Sequence, residues 1–180
     1  MVKVQQCLVI IKPDGLVKSL TGNIITSLSE TKLKIIGAKI VKVSKELAEK
    51  HYSELRQRKI DQWGEKKGNE IFENVLKYIQ GEFHTDRVLV LVYEGKDAIS
   101  KIRKIAGDTN PEKADYTTIR GRFGRIHSET EVFENVVHVS DSEKEAKKEI
   151  QLWFEPEELS NIIYPTKKKE VCMDKIVWDN

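Results

Sequence analysis

Val88 to Tyr93, VLVLVY, is an unbroken run of six apolar residues, and no other stretch constrains the fold as tightly. Its length and branched side chains predict a strand. Cys7 to Ile11, CLVII, is a second such run. It stops at Lys12-Pro13-Asp14-Gly15, the pattern of a buried strand leaving its sheet through a tight turn. Leu33 to Val43 alternates as a third strand, and Val136 to Val139 reads as a last one.

Helical spacing fills the intervals. Ile24, Ile25 and Leu28 share one face, with Thr21 available as a cap. Ser44 caps a helix running through Lys45–Lys59, another covers Ile71–Gln80, and a third covers Lys96–Ala106. Ser142-Glu143-Lys144-Glu145 is a capping box opening a helix that carries Ala146, Ile150 and Trp153 inward. Two segments lose periodicity. Ile60–Asn69 holds two glycines and reads as a loop or hairpin-like excursion, and Gly107–Arg125 reads as one long loop, of a length that is usually functional or disordered. This order is α+β, and it suits a split βαβ, ferredoxin-like antiparallel sheet with helices packed on it, plus loop insertions. With 180 residues, 39% of them hydrophobic, one domain spanning 1–180 is expected, with a surface tail from about residue 155.

Charge excludes some roles. Thirty-one basic and 29 acidic residues leave a net +2, so no strong field toward nucleic acid or membrane is expected, and a basic site must be local. Cys7 and Cys172 stand far apart without metal-ligand spacing, and the apolar run near the N-terminus is too short for a membrane span. A cytoplasmic protein is the expectation. Neither a G-x-x-x-x-G-K-[ST] loop nor a G-x-G-x-x-G element occurs, and His51, His84 and His127 lack metal-ligand spacing with one another.

The polar residues at strand ends remain. In NVVHVSDS, Asn135 to Ser142, His138 follows two valines. Taken alone it reads either as a core-edge histidine or as a nucleophile, because neutral imidazole is available near pH 7 and its nitrogen can carry a phosphoryl group. A nucleophile needs an orienting partner. Glu149, seven residues after Ser142, comes about two turns along its helix, from where it can face back toward His138. Arg103, Thr109 and Arg120 lie near or within the long loop, where the guanidiniums could converge on one anion, as phosphoryl transfer requires.

Together, LVIIKPDG, GDTNPEKA, TIRGRFG and NVVHVSDSEKEAKKEI occur in this order, and the chain resembles the nucleoside diphosphate kinase family from Leu8 to LWFEPEEL at Leu152–Leu159. The resemblance implies a ferredoxin-like core and ping-pong transfer of the γ-phosphate of a nucleoside triphosphate to a nucleoside diphosphate through a phosphohistidine at His138. Substrates would be nucleotides such as ATP, GTP, ADP and GDP. It further implies Lys12 and Asn135 on the ribose hydroxyls, with Arg103, Thr109 and Arg120 on the β and γ phosphates. Tyr52 would stand near the transferred phosphoryl group, and Ser140 and Glu149 would support His138. Lys12, Tyr52, Ser140, His138 and Glu149 thus form the implied catalytic set. Mg²⁺ would ride on the nucleotide phosphates, with no metal ligands from the protein. The assembly would be a homo-oligomer, a hexamer or else a tetramer or dimer.

Departures from the family pattern are local. The pair that usually supplies an aromatic base clamp is Ile71-Phe72 here, so Ile71 would meet the nucleobase unless another residue such as Trp63 covers it. Insertions are read at Ile60–Asn69, at Gly81–Arg87 and within His127–Glu134. A Pro-Gly usual before Thr-Ile-Arg is Tyr116-Thr117, and an acidic residue usual after Arg-Gly is Arg122, which bears on subunit contacts. Against an active kinase stand two rival readings, a nucleotide-binding module without turnover and a ferredoxin-like interaction protein.

Overall fold

In chain order the strands are β1 (Val4–Ile11), β2 (Lys34–Lys42), β3 (Arg87–Lys96), β4 (Arg125–Ile126), β5 (Phe133–Glu134) and β6 (Val137–Val139). The helices are α1 (Pro13–Val17), α2 (Thr21–Ser29), α3 (Lys45–His51), α4 (Leu55–Trp63), α5 (Glu65–Gln80), α6 (Ala98–Ala106), α7 (Ile119–Phe123) and α8 (Glu143–Trp153). The structure, a computed structural model, describes residues 3–130 and 132–170, so Cys172 lies outside the described residues. Four strands form an antiparallel sheet in the order β2-β3-β1-β6, and β4 and β5 make a separate hairpin. That is the ferredoxin-like arrangement expected.

The two unbroken apolar runs form the two central strands because both sheet faces are covered. Cys7, Val9 and Ile11 turn toward α2 and α6, packing with Ile24, Leu28 and Ile102. Leu8 and Ile10 turn the other way, with Val90 and Val92, toward Phe72, Leu76 and Ile79 of α5 and Ile150 and Trp153 of α8. Each such side chain, taken fully out of water, contributes roughly 1.5–3 kcal/mol. Leu159, Ile163 and Tyr164 pack on this second cluster. No helix among the described residues is long and apolar enough to cross a membrane.

The Ile60–Asn69 segment is helical, not a loop. The helix expected over Lys45–Lys59 breaks after His51, restarts as α4, and meets α5 at Gly64, whose φ of 79° suits glycine. The second glycine serves packing. A Cβ on Gly68 would come 2.6 Å from the Ile60 Cα, so its absence lets α4 and α5 lie close together. The long 107–125 loop holds α7, capped by Thr118, and the start of the β4–β5 hairpin. Thr21 makes no cap hydrogen bond, whereas Ser44 and Ser142 accept from the Leu47 and Glu145 amides.

The two segments 81–87 and 127–134, expected as insertions, grip each other. Tyr78 stacks on Phe83 with ring centroids 4.4 Å apart, and its hydroxyl lies 3.2 Å from Thr130 Oγ1. Glu134, fully buried, binds Arg125 Nε at 2.5 Å, His84 Nε2 at 2.9 Å and Lys18 Nζ at 3.3 Å. Burial pushes its carboxyl up, but the hydrogen bonds from Arg125 and His84 outweigh this and hold it down at about 2.

Candidate active site

On β6, Val137 and Val139 face the α2–α6 side, so His138 between them faces α3 and α8. There its Nε2 lies 2.7 Å from Glu149 Oε1. The other carboxylate oxygen of Glu149 accepts from Ser140 Oγ at 2.5 Å. Ser140 is itself bolted to β1: its hydroxyl accepts from the Leu8 amide at 3.1 Å, and its amide donates to the Leu8 carbonyl at 3.1 Å. Burial pushes Glu149 up, but the hydrogen bond and charge of His138, with Ser140, bring it below the ordinary carboxylate range. An ionised Glu149 can only accept, so Nε2 of His138 bears the proton and Nδ1 keeps its lone pair.

Strain accompanies this geometry. Val136 has φ 56°, a left-handed conformation that is costly for a branched residue, so the strand begins at Val137 and not at Val136. Such strain costs roughly 1–3 kcal/mol and persists only where neighbours over-determine it. Asp14, 2% exposed, accepts from the Val136 amide at 3.0 Å, the Val136 carbonyl accepts from the Lys12 amide at 2.9 Å, and the Val137 amide donates to Asn135 O at 2.7 Å. The β1–α1 turn thereby fixes the backbone entering His138.

A cleft of about 290 Å³ opens in front of the histidine. Lys12, Tyr52, Ile71, Arg103 and Thr109 line it, as do Arg120, Asn135, His138 and Glu149. Of the catalytic and nucleotide-binding set implied by the sequence, Ser140 alone does not line it. Arg120 is 6% exposed, and its Nη1 and Nη2 donate to the carbonyls of Gly107 (2.9 Å) and Val137 (3.1 Å). Burial and the neighbouring Arg103 bring its guanidinium down to about 10. Lys12 Nζ donates to the Phe133 carbonyl at 3.2 Å, and burial lowers its pKa. Asn135 Nδ2 donates to the Thr109 carbonyl at 2.8 Å. Burial, then the charge of Glu149, raises the Tyr52 phenol above its usual range.

Some positions escaped sequence reasoning. His51 reaches the back of the site, Val132 and Phe133 form part of its wall, and Arg58 and Lys59 add positive charge from α4. The adjacency of His51 to Tyr52 was a usable signal; Phe133 had none, lying inside an insertion. Trp63 does not line this cleft. It borders a neighbouring depression that shares only Ile71 with it, with Lys67 Nζ 4.5 Å from its ring centroid. Among the described residues, His51, His138 and Glu149 form a trio with metal-ligand chemistry, their nearest donor atoms within 4.8 Å of one another.

The family profile described as nucleoside diphosphate kinase matches residues 5–159. A nucleoside diphosphate kinase of Pyrococcus furiosus is 39% identical over 176 residues, covering 94% of this chain and 99% of that protein. One from Pyrococcus horikoshii is 41% identical over 159 residues, covering 88% and 90%. Among solved structures, a transition-state mimic of the Borrelia burgdorferi enzyme with bound vanadate and ADP superposes with a TM-score of 0.73 at 31% identity, covering 92% of this chain and 93% of that one. An NDP kinase from Pyrobaculum aerophilum gives 0.76 at 30% identity, covering 87% and 99%.

Proposed function

The chain belongs to the nucleoside diphosphate kinase family, and on that premise we propose that it moves the γ-phosphoryl group of a nucleoside triphosphate to a nucleoside diphosphate through Nδ1 of His138. The observation that carries the assignment to this atom is the pairing of Nε2 with Glu149, which leaves the opposite nitrogen as the free lone pair. In the first half-reaction an N–P bond forms at Nδ1, the P–O bond to the β phosphate breaks, and the nucleoside diphosphate departs. In the second, an acceptor diphosphate takes the phosphoryl group and restores the imidazole. Positive charge that develops on the ring meets the ionised Glu149, whose position Ser140 holds.

Arg103, Arg120 and Thr109 are suited to the β and γ phosphates, since Arg120 is pre-oriented by two carbonyls and keeps its Nε buried without a partner among the described residues. Lys12 and Asn135 are suited to the ribose, and Tyr52 to the transferred group. Base contact falls to Ile71, Val132 and Phe133, the apolar residues of the cleft wall outside the four-stranded sheet and its phosphate-facing loops. Stacking on an aromatic face is tolerant of base identity, so broad nucleotide use is expected.

Mg²⁺ fits as an ion carried by the phosphates. Of the five carboxylates that line the cleft, Asp14 is bound to the Val136 amide, Glu149 to His138 and Ser140, and Glu54 and Glu145 to Lys148, so four are already engaged. Asp141, exposed at the rim, is the residue free to face such an ion. When bound, the ion supplies screening of phosphate charge. Self-association is supported by β2, an edge strand with Ile35 and Ile40 47% and 58% exposed, and a hexamer, tetramer or dimer would be separated by mass in solution. Cys7 is buried and burial pushes its thiol up to about 12, so it is poorly reactive.

The decisive experiment incubates the protein with γ-labelled ATP and Mg²⁺ without acceptor. An acid-labile phosphoprotein that loses its label on addition of a nucleoside diphosphate is expected. Absence of label would leave a nucleotide-binding module instead.

A further inference from the structure

Three rings meet behind His138. His51, the last residue of α3, packs edge-on to His138 with centroids 4.4 Å apart and edge-on to Trp153 with centroids 5.5 Å apart. The indole N–H of Trp153 can only donate, and it lies 3.2 Å from His51 Nδ1. Nδ1 must therefore carry the lone pair, and in the neutral ring the proton sits on Nε2. The ring is held neutral: burial, then the charge of His138, lowers its pKa to about 3, with Lys148 acting in the same direction and Glu149 opposing. Yet Nε2 is buried and has no partner among the described residues. An unmet buried donor costs roughly 1–3 kcal/mol, so its persistence beside a carboxylate and a nucleophile calls for an account.

We propose that His51 is a positioning residue for phosphoryl transfer, presenting an Nε2–H fixed by Trp153 to the Glu149–His138 pair. This extends the reading of His138 as nucleophile and rests on it. One ring nitrogen of His51, one of His138 and a carboxylate oxygen of Glu149 lie within 4.8 Å of one another, and Nε2 is the His51 nitrogen that Trp153 leaves unbound, so a shift of Glu149 or of the ring is what would bring the orphan N–H into bonding reach. Glu149 already accepts from His138 and Ser140, and a carboxylate has lone pairs for a third donor. A third donor keeps Glu149 ionised, which keeps the His138 proton on Nε2 and the lone pair on Nδ1. A neutral donor does this without the repulsion that a cation would impose on a phosphorylated, positively charged imidazole.

The test compares His51→Phe, His51→Gln and Trp153→Phe. The first removes the donor, the second keeps an N–H at about the reach of Nε2, and the third frees the tautomer. With His51→Phe, single-turnover labelling of His138 by γ-labelled ATP should slow by about 10- to 100-fold, the range for loss of a group that orients an active-site ligand, while the KM for ATP stays within about 2-fold. His51→Gln should recover most of that loss, and Trp153→Phe should fall between. In the unmodified protein, ¹⁵N NMR should show His51 protonated at Nε2, a measurement independent of activity. Labelling of His51→Phe at the unmodified rate, equal losses in the Phe and Gln variants, a loss confined to KM, or a proton on His51 Nδ1 would each overturn the proposal. Failure of the unmodified protein to label would instead refute the nucleophile reading, so the two failures are separable.

Discussion

Around His138 the four-stranded sheet itself holds the side chains that line the cleft, whereas the stretch of wall that carries Ile71 and Phe133, its second end, is built from α5 and the β4–β5 hairpin. Ser140 and Asp14 tie the first end to backbone of β1 and of the turn into β6, in the middle of both core clusters. The second end depends on α4–α5 packing and on the Glu134 cluster, whose partners come from three separate loops and whose Arg125 is 59% exposed. Chemistry that tolerates no misplacement sits on the rigid part, and recognition of an interchangeable base sits on the adjustable part.

That contrast can be broken by substitution. His138→Ala should remove the phosphoprotein and lower turnover by about 10⁴-fold or more, with nucleotide binding retained in a calorimetric titration. Retained label would mean another nucleophile. Glu149→Gln should slow labelling by about 10- to 100-fold without displacing the nucleotide, and an effect on KM alone would deny it the orienting role. Glu134→Gln should cost roughly 1–3 kcal/mol of stability and raise KM while sparing the labelling rate. The pH dependence has a definite sign. The Glu134 carboxyl is depressed in the folded protein, so its contribution is present above the ordinary carboxylate pKa and lost as pH falls toward about 2. Denaturant melts at pH 7 and pH 3 should therefore show the variant's deficit shrinking at the lower pH. The smallest effects belong to the base wall. Ile71→Phe should lower the nucleotide KM by a few-fold if the missing ring limits affinity, an aromatic stack being worth ~1–3 kcal/mol, whereas Trp63→Ala should leave it unchanged.

Legibility in the sequence follows the same division. Unbroken apolar runs identified β1 and β3, and strand-end polar residues in family order pointed to nine positions that line the cleft. Those signals are local: a strand needs its own residues, and a turn needs its own Pro, Asp or Gly. Gly68 misled because a glycine in a polar stretch has the same letter whether it bends a loop or admits a neighbouring helix. Val136 looked like ordinary strand because valine favours strands, and it is Asp14, 122 positions away, on its amide and the Lys12 amide on its carbonyl that make its left-handed backbone tenable. Phe133 and the Glu134 cluster were invisible for a related reason, since their meaning lies in contacts between separate insertions.

Ser140 has one more consequence, a temporal one. Its amide bonds the Leu8 carbonyl and its hydroxyl the Leu8 amide, joining the end of the nucleophile's strand to β1, whose residues Cys7 to Ile11 are fully buried. In deuterated water these two amides should belong to the slowest class, opening only with the whole molecule, while those of residues 81–86 should exchange through cheap local excursions. The reactive corner would then be the last part of the protein to come apart and among the first to be assembled, so that any folded molecule already carries its nucleophile aligned.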